Sequence, residues 1–436
     1  MEEVGCRPGA ASAFLSRDFR LYQTARLLVI IGAEAQSVGV AWQVYQITHS
    51  ALKLGLTGLA LFAPGIFFVL AAGHVADRYD RRRIILGCYS LQAVCTVGML
   101  WFALHPTGNV WPIYAVLLGV GLGRAFSGPA SSALLPSLVP KNHFVNAITW
   151  GAIIFQVANI TGPAVGGLLF TLQMHGAAAR WNGAAAVYVF TLLTLLVFLV
   201  LVGAMRTKPA QAIKNSFNLE TMLAGLKYVW HTKLLLGSIS LDLFAVLLGG
   251  ATALLPIFAT EVLHAGPTAL GLLRAMPSLG ALLVSVFITT RPIKRGAGRK
   301  MLICVAVFGV ATVVFGLSHW MWLSLLALLV TGACDMVSVV IRGSILQLAT
   351  PSEMRGRVSA VNWLFVGASN EFGEFESGLT AHWWGAVRAV VIGGIASVVV
   401  TGATSVLFPR LRRADALTAE SLMEANLQQS IAEPVE

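Results

Sequence analysis

The chain has 436 residues, 57% of them hydrophobic and 11% charged, with a formal net charge of +11. Soluble domains carry about 25% charged residues, so this composition excludes a fold that faces water throughout. The basic balance raises nucleic acid as a partner, but the sidedness of the charges, set out below, accounts for it without one.

The five cysteines, Cys6, Cys88, Cys95, Cys304 and Cys334, show no metal-ligand or redox spacing, and no metal or other cofactor is expected. Glu2 and Glu3 spoil the basic start of a secretory signal, so the first apolar run is expected to stay as a helix.

In chain order, twelve apolar segments can be drawn, at 22–47, 52–73, 84–104, 111–137, 145–172, 183–205, 234–261, 267–290, 300–318, 320–349, 357–383 and 385–409. Each reaches the roughly 20 residues that a helix needs to cross a bilayer. Strands are disfavoured, because backbone exposed to lipid must satisfy its own hydrogen bonds and the segments are too long and too uniformly apolar for barrel strands. The expected class is an all-α polytopic membrane protein of twelve helices.

With the N-terminus placed in the cytoplasm, twenty-three of the thirty Lys and Arg fall on the inner side and three, Lys53, Arg180 and Arg388, on the outer. The positive-inside rule then predicts cytoplasmic N- and C-termini in an inner membrane. The expected organisation is a six-helix half at 1–205, an inner linker at 206–233, a second half at 234–413 and a polar tail at 414–436. Within the linker, residues 219–233 carry Leu219, Met222, Leu223, Leu226, Val229 and Trp230 on one stripe, which predicts a helix lying on the membrane surface.

A shift of 213 residues superposes three separate features. Arg78, Arg81 and Arg82 fall on Arg291, Lys294 and Arg295; Pro64 falls on Pro277; and Val145, Ala147 and Trp150 fall on Val358, Ala360 and Trp363. A six-span repeat is the natural unit, as in transporters whose substrate lies near the midplane between two halves.

The loop after the second segment reads Gly73-His74-Val75-Ala76-Asp77-Arg78-Tyr79-Asp80-Arg81-Arg82-Arg83. It resembles the signature loop of the major facilitator superfamily, with Asp80 where a glycine is usual. The resemblance implies a gating latch built from Gly73, Asp77, Arg78, Arg81 and Arg82. Arg124-Ala125-Phe126-Ser127-Gly128 is similar to the family's fourth-span arginine motif, with Ser127 in place of Gln, and implies a part for Arg124 in proton coupling; a structural ion pair is the alternative. Residues 158–167 resemble the antiporter motif through Gly162, Pro163, Gly166 and Gly167, with Ala158 for the first glycine. That motif implies export, and plain helix packing is the alternative. The stretch Met354–Ala360 and the segment Asn370-Glu371-Phe372-Gly373-Glu374-Phe375-Glu376 resemble the enterobactin-exporter-like subfamily.

Ionisable groups inside apolar segments mark function by default, because an unpaired charge there is costly. The first candidates for carrying a proton are Glu34, Asp242, Glu371 and Glu374, with Arg124 alongside. Arg26, Arg274, Asp335, Arg342 and Glu376 complete the set. Burial favours a protonated carboxylate and a nearby arginine favours the ionised one, and the sequence leaves open which effect governs each. His49, His105, His175, His264, His319 and His382 have no ligand spacing and are expected at the outer interface. Most tryptophans are expected in an aromatic belt, with Trp42 there or in the cavity.

The expected function is a secondary transporter, an exporter of a small amphiphilic molecule such as a siderophore or drug, coupled to protons and monomeric in the lipid bilayer. Uptake or facilitated permeation, and a non-transporting membrane sensor, remain alternatives. An enzyme is not expected, since no triad, phosphate loop or ligand cluster is present.

Overall fold

The computed structural model describes residues 12–105, 108–140, 143–172, 183–206, 219–291, 293, 295–351 and 354–414. The first eleven residues, most of the predicted polar linker and the tail from 415 lie outside them.

The described chain is helical. Its elements are α1 (Arg17–Thr48), α2 (Ala51–Arg78), α3 (Arg81–Leu104), α4 (Trp111–Leu134), α5 (Phe144–Phe170), α6 (Gly183–Gly203), α7 (Leu219–His231), α8 (Lys233–Gly249), the single turn α9 (Leu255–Ile257), α10 (Pro267–Thr290), α11 (Ala297–Leu317), α12 (Met321–Ala349), α13 (Arg355–Trp384), α14 (Ala386–Leu407) and the short α15 (Pro409–Arg413). Among the described residues, eleven helical segments are long and apolar enough to span a membrane. The predicted twelfth, α13, has 30 residues, about 45 Å at 1.5 Å per residue, but Glu371, Glu374 and Glu376 interrupt its apolar character.

Two of the differences from the expected segments have local causes. The segment predicted at 234–261 is one apolar stretch, Lys233–Val262, but not one helix. It unwinds after Gly249, passes through a 3-10 turn at Thr252–Leu254 and α9, and closes in a π-turn at Phe258–Val262. The Gly249-Gly250 pair is a weak helix former, and Pro256 lacks the backbone donor that would tie it to the preceding turn. The second difference is that α2 continues as helix through Arg78, so the first part of the signature sequence is the end of a helix and only Tyr79 and Asp80 turn.

Two compact units emerge. One holds α1 up to Gln43 and the chain from Ala60 through α6; the other holds Val44–Leu59 and everything from α7 onward. In the first unit α3 packs on α4 and α6; in the second α11 packs on α12 and α14. The prolines that the 213-residue shift superposes lie inside equivalent helices, Pro64 in α2 and Pro277 in α10. Each unit turns large apolar side chains outward, among them Val94 and Val200 in the first and Val286, Val310 and Val399 in the second. A surface of this kind suits hydrocarbon rather than water.

The helix α7 divides the stripe that the sequence puts on one face. Val229 is in the core of the second unit and the Tyr228 hydroxyl donates to the Ala349 carbonyl at 3.1 Å, while Leu223, Leu226 and Trp230 are exposed.

Candidate transport site

In the first unit, α1 carries Gln23, Arg26, Ile30 and Glu34 at helical spacing, so they line one face. Across from that face stands α5. A Cβ at Gly151 would lie 3.1 Å from Nη1 of Arg26 and 3.5 Å from Nε2 of Gln23. One at Gly162 would meet Cβ of Glu34 at 2.5 Å and the Ile31 carbonyl at 2.9 Å, and one at Gly166 would meet the Ala35 backbone at 2.7 Å. The small residues of the antiporter-like motif thus bring α5 against the turn of α1 that bears Glu34, by the close approach that glycine allows. Pro163 lies inside α5, and Gly167 is buried beside Gly166.

Beyond this contact a cavity of about 200 Å³ is lined by Glu34 and Gln36 of α1, Tyr89 and Gln92 of α3, Arg124 of α4 and Thr191 of α6, with apolar walls between them. Two sequence-predicted residues, Glu34 and Arg124, therefore share one cavity. Neither has a salt bridge among the described residues. Arg26 and Arg124 both lie close enough to the Tyr89 hydroxyl for their charges to act on it. The remaining polar groups are partly satisfied. Thr191 donates to the Gly32 carbonyl at 2.9 Å, and Thr96 donates to the Gln92 carbonyl at 2.9 Å. The Gln92 amide nitrogen is buried with no hydrogen-bond partner, as is the whole Gln23 amide.

Asp80 replaces the usual glycine of the signature loop and acts as the N-cap of α3. It accepts from the Arg82 backbone N–H at 3.0 Å and sits 3.7 Å from the Arg83 guanidinium. The Arg82 side chain reaches the C-terminus of α6, donating to the carbonyls of Val202 (3.0 Å) and Gly203. That end presents unpaired carbonyls and the negative pole of the helix dipole. Gly73 lies in the last turns of α2, Arg78 ends it exposed, and Arg81 begins α3. The Asp77 side chain lies outside the described residues.

The second unit treats its charges differently. Asp242 of α8 and Arg342 of α12 form a salt bridge, and their side chains are only 6% and 5% exposed. Asp335, two turns before Arg342, lines a water-sized void with Asp242, Ser338 and Cys334, and the Ser338 hydroxyl is buried without a partner. Cys334 lies beside Cys304 of α11, and both are free thiols. Arg274 is half-buried in α10.

On α13 the glutamates face α2. A Cβ at Gly58 would lie 2.7 Å from Oε2 of Glu374 and 3.3 Å from Oε2 of Glu371, so both carboxylates crowd one point. Close backbone approach surrounds that point: a Cβ at Gly55 would meet the Glu374 carbonyl at 3.0 Å, and one at Gly378 would meet Gly55 at 2.9 Å. Glu376, half-buried, sits one residue from Ser377, whose hydroxyl donates at 2.5 Å to the Gly250 carbonyl freed by the unwinding after α8. The π-turn that follows the break is tied to α1 through Tyr45, whose hydroxyl donates to Glu261.

Sequence reasoning missed Gln23, Gln36, Gln92, Thr96, Tyr45 and Gly58. The glutamines had a signal, since an amide inside an apolar span is as conspicuous as a charge. Gly58 had none, because only the approach of α13 gives it a part. Trp42, expected at the belt or in the cavity, is 5% exposed and stands edge-on to Phe170 at 6.1 Å.

Helices that bury opposite charges, a polar cavity inside an otherwise apolar unit, and a helix-packing pattern found in both units define a polytopic membrane transporter. The chain belongs to the transmembrane secretion effector family, MFS_3, whose model matches residues 9–436. It is 26% identical over 393 residues to the enterobactin exporter EntS of Citrobacter koseri, covering 89% of this chain and 87% of that one. Its fold is similar to a bacterial homologue of the lysosomal transporter Spinster, with a TM-score of 0.71, 15% identity and coverage of 93% and 98% of the two chains. A bacterial homologue of the iron transporter ferroportin matches with a TM-score of 0.67, 14% identity and coverage of 91% and 98%.

Proposed function

We propose that this transporter is a proton-coupled exporter of a small amphiphilic molecule, working by alternating access in the inner membrane with both termini in the cytoplasm. The halves 1–205 and 234–413 are the moving bodies, the linker 206–233 joins them, and one chain is the working unit. The observation that carries the reading is the cavity shared by Glu34 and Arg124, to which the antiporter-like glycines bring α5. Two charges held at a cavity wall without an ion pair suit binding and release better than structural support. Export is supported by that motif and by relatives named as enterobactin exporters; a siderophore or a drug-like amphiphile fits the cavity's mixture of polar and apolar walls.

The proton is assigned to Glu371 and Glu374. Carboxylates that face one point repel when both are ionised, so a shared proton relieves them. Asp242 suits this role less well, because its carboxylate is already committed to the salt bridge with Arg342. A proton bound from outside biases the two halves toward one state only through its differential affinity for the two.

The test is proton release from energised inverted membrane vesicles on adding candidate amphiphiles, with Glu371→Gln and Glu34→Gln beside the wild type. Substrate-dependent release lost in both variants is expected. Saturable ligand binding with no proton movement for any candidate would leave a facilitator or a sensor.

A further inference from the structure

Resting on the transport reading, we infer that the first unit's cavity takes an anionic, acceptor-rich group of the substrate, a carboxylate or its equivalent, on Arg124 and the Gln92 amide. The cavity is lined by N–H donors from Arg124, Gln36 and Gln92 beside the one carboxylate, Glu34. Arg124 offers only N–H groups, five in a fixed fork that matches a carboxylate. Gln92 is 7% exposed, lines the cavity and has an amide nitrogen with no partner. A buried donor left this way is satisfied when the amide turns toward an acceptor in the cavity.

The charges agree. The titratable groups lining the cavity are Glu34 from α1, Tyr89 from α3 and Arg124 from α4. The contributions of α5 and α6, Phe155, Thr191 and Leu195, do not titrate near neutrality. Arg26 stands two turns from Glu34 on the same face of α1 and acts on Tyr89 together with Arg124. Two arginines against one carboxylate repel a cation. A wholly apolar ligand would leave the Gln92 N–H and the guanidinium desolvated without partners. An amphiphilic acid satisfies both, its anion on Arg124 and Gln92 and its hydrocarbon against Ile30, Val120 and Phe155.

The test uses the purified full-length chain in phosphatidylcholine nanodiscs, with 2-naphthoate and the neutral 2-naphthamide as probes sharing one ring system. The acid is expected to bind about tenfold or more tightly than the amide, with Arg124→Gln bringing the ratio to about one and Arg124→Lys, which keeps the charge but not the fork, keeping only part of it. Gln92→Leu should weaken the acid about threefold or more and the amide, whose carbonyl is the weaker acceptor, by less, and it carries the test alone if Arg124→Gln does not give monodisperse protein. Equal binding of acid and amide by the wild type, or a ratio unaltered in Arg124→Gln or Gln92→Leu, overturns the assignment. Acid binding that persists in phosphatidylglycerol discs supports a substrate anion; acid binding lost only there gives the donors to a lipid phosphate and overturns it. The exporter reading fails separately: proton release driven by a neutral or cationic amphiphile would keep that reading and remove this one.

Discussion

In the second unit Arg342 and Asp242 meet in a closed pair, 5% and 6% exposed, whereas in the first Glu34 and Arg124 line an open cavity with no salt bridge among the described residues. The two units thus answer the same difficulty, charge in an apolar setting, in opposite ways. A pair that neutralises itself leaves nothing for a ligand and supports the helices α8 and α12 that bear it. Charges kept apart at a cavity wall are not committed to each other and remain free to meet a ligand. Buried charge in a transporter is therefore not one signal but two, and partnership distinguishes them.

The sharpest way to break this contrast is to open the closed pair. Asp242→Asn or Arg342→Gln alone should destabilise the protein by about 3–5 kcal/mol, the cost of a buried charge without its partner. The double substitution should recover most of it, read as the melting midpoint in detergent; a double variant as unstable as the singles would show that the pair is not the unit. Gly162→Ala should destabilise by about 1–3 kcal/mol, because the new methyl overpacks the Glu34 turn of α1, and should reduce transport with it. Glu34→Gln should leave the melting midpoint within the equivalent of about 1 kcal/mol, since no ion pair is lost, while transport falls about tenfold or more. At the smallest end, Arg82→Ala should cost about 1 kcal/mol by uncapping α6. Gly343→Ala, inside α12 and with a Cβ that would meet nothing within 4 Å, should raise stability by up to about 1 kcal/mol and leave flux unchanged.

Much of this architecture is legible in the residues. Apolar runs gave nearly every helix to within a few positions, because in lipid the backbone has no alternative to the helix. The repeat was legible through Pro64 and Pro277, which occupy equivalent helices. The interruption after Gly249 was less so: the apolar run is unbroken, and only Gly249-Gly250 and Pro256 hint at it. For the site, the charged residues announced themselves but their pairing did not. Asp335 stands on nearly the same face of α12 as Arg342, yet the ion pair is made by Asp242, a hundred residues away on α8, and no spacing rule reaches that far. The contact of Gly58 with Glu371 and Glu374 likewise exists only after α2 and α13 come together.

The central claim, that the open site transports while the closed pair supports, is tested most directly by substrate-driven proton flux in proteoliposomes, comparing Glu34→Gln with the Asp242→Asn/Arg342→Gln double variant. The account predicts flux retained by the double variant and lost in Glu34→Gln. Flux lost in the double variant while the protein remains folded, with Glu34→Gln active, would contradict it.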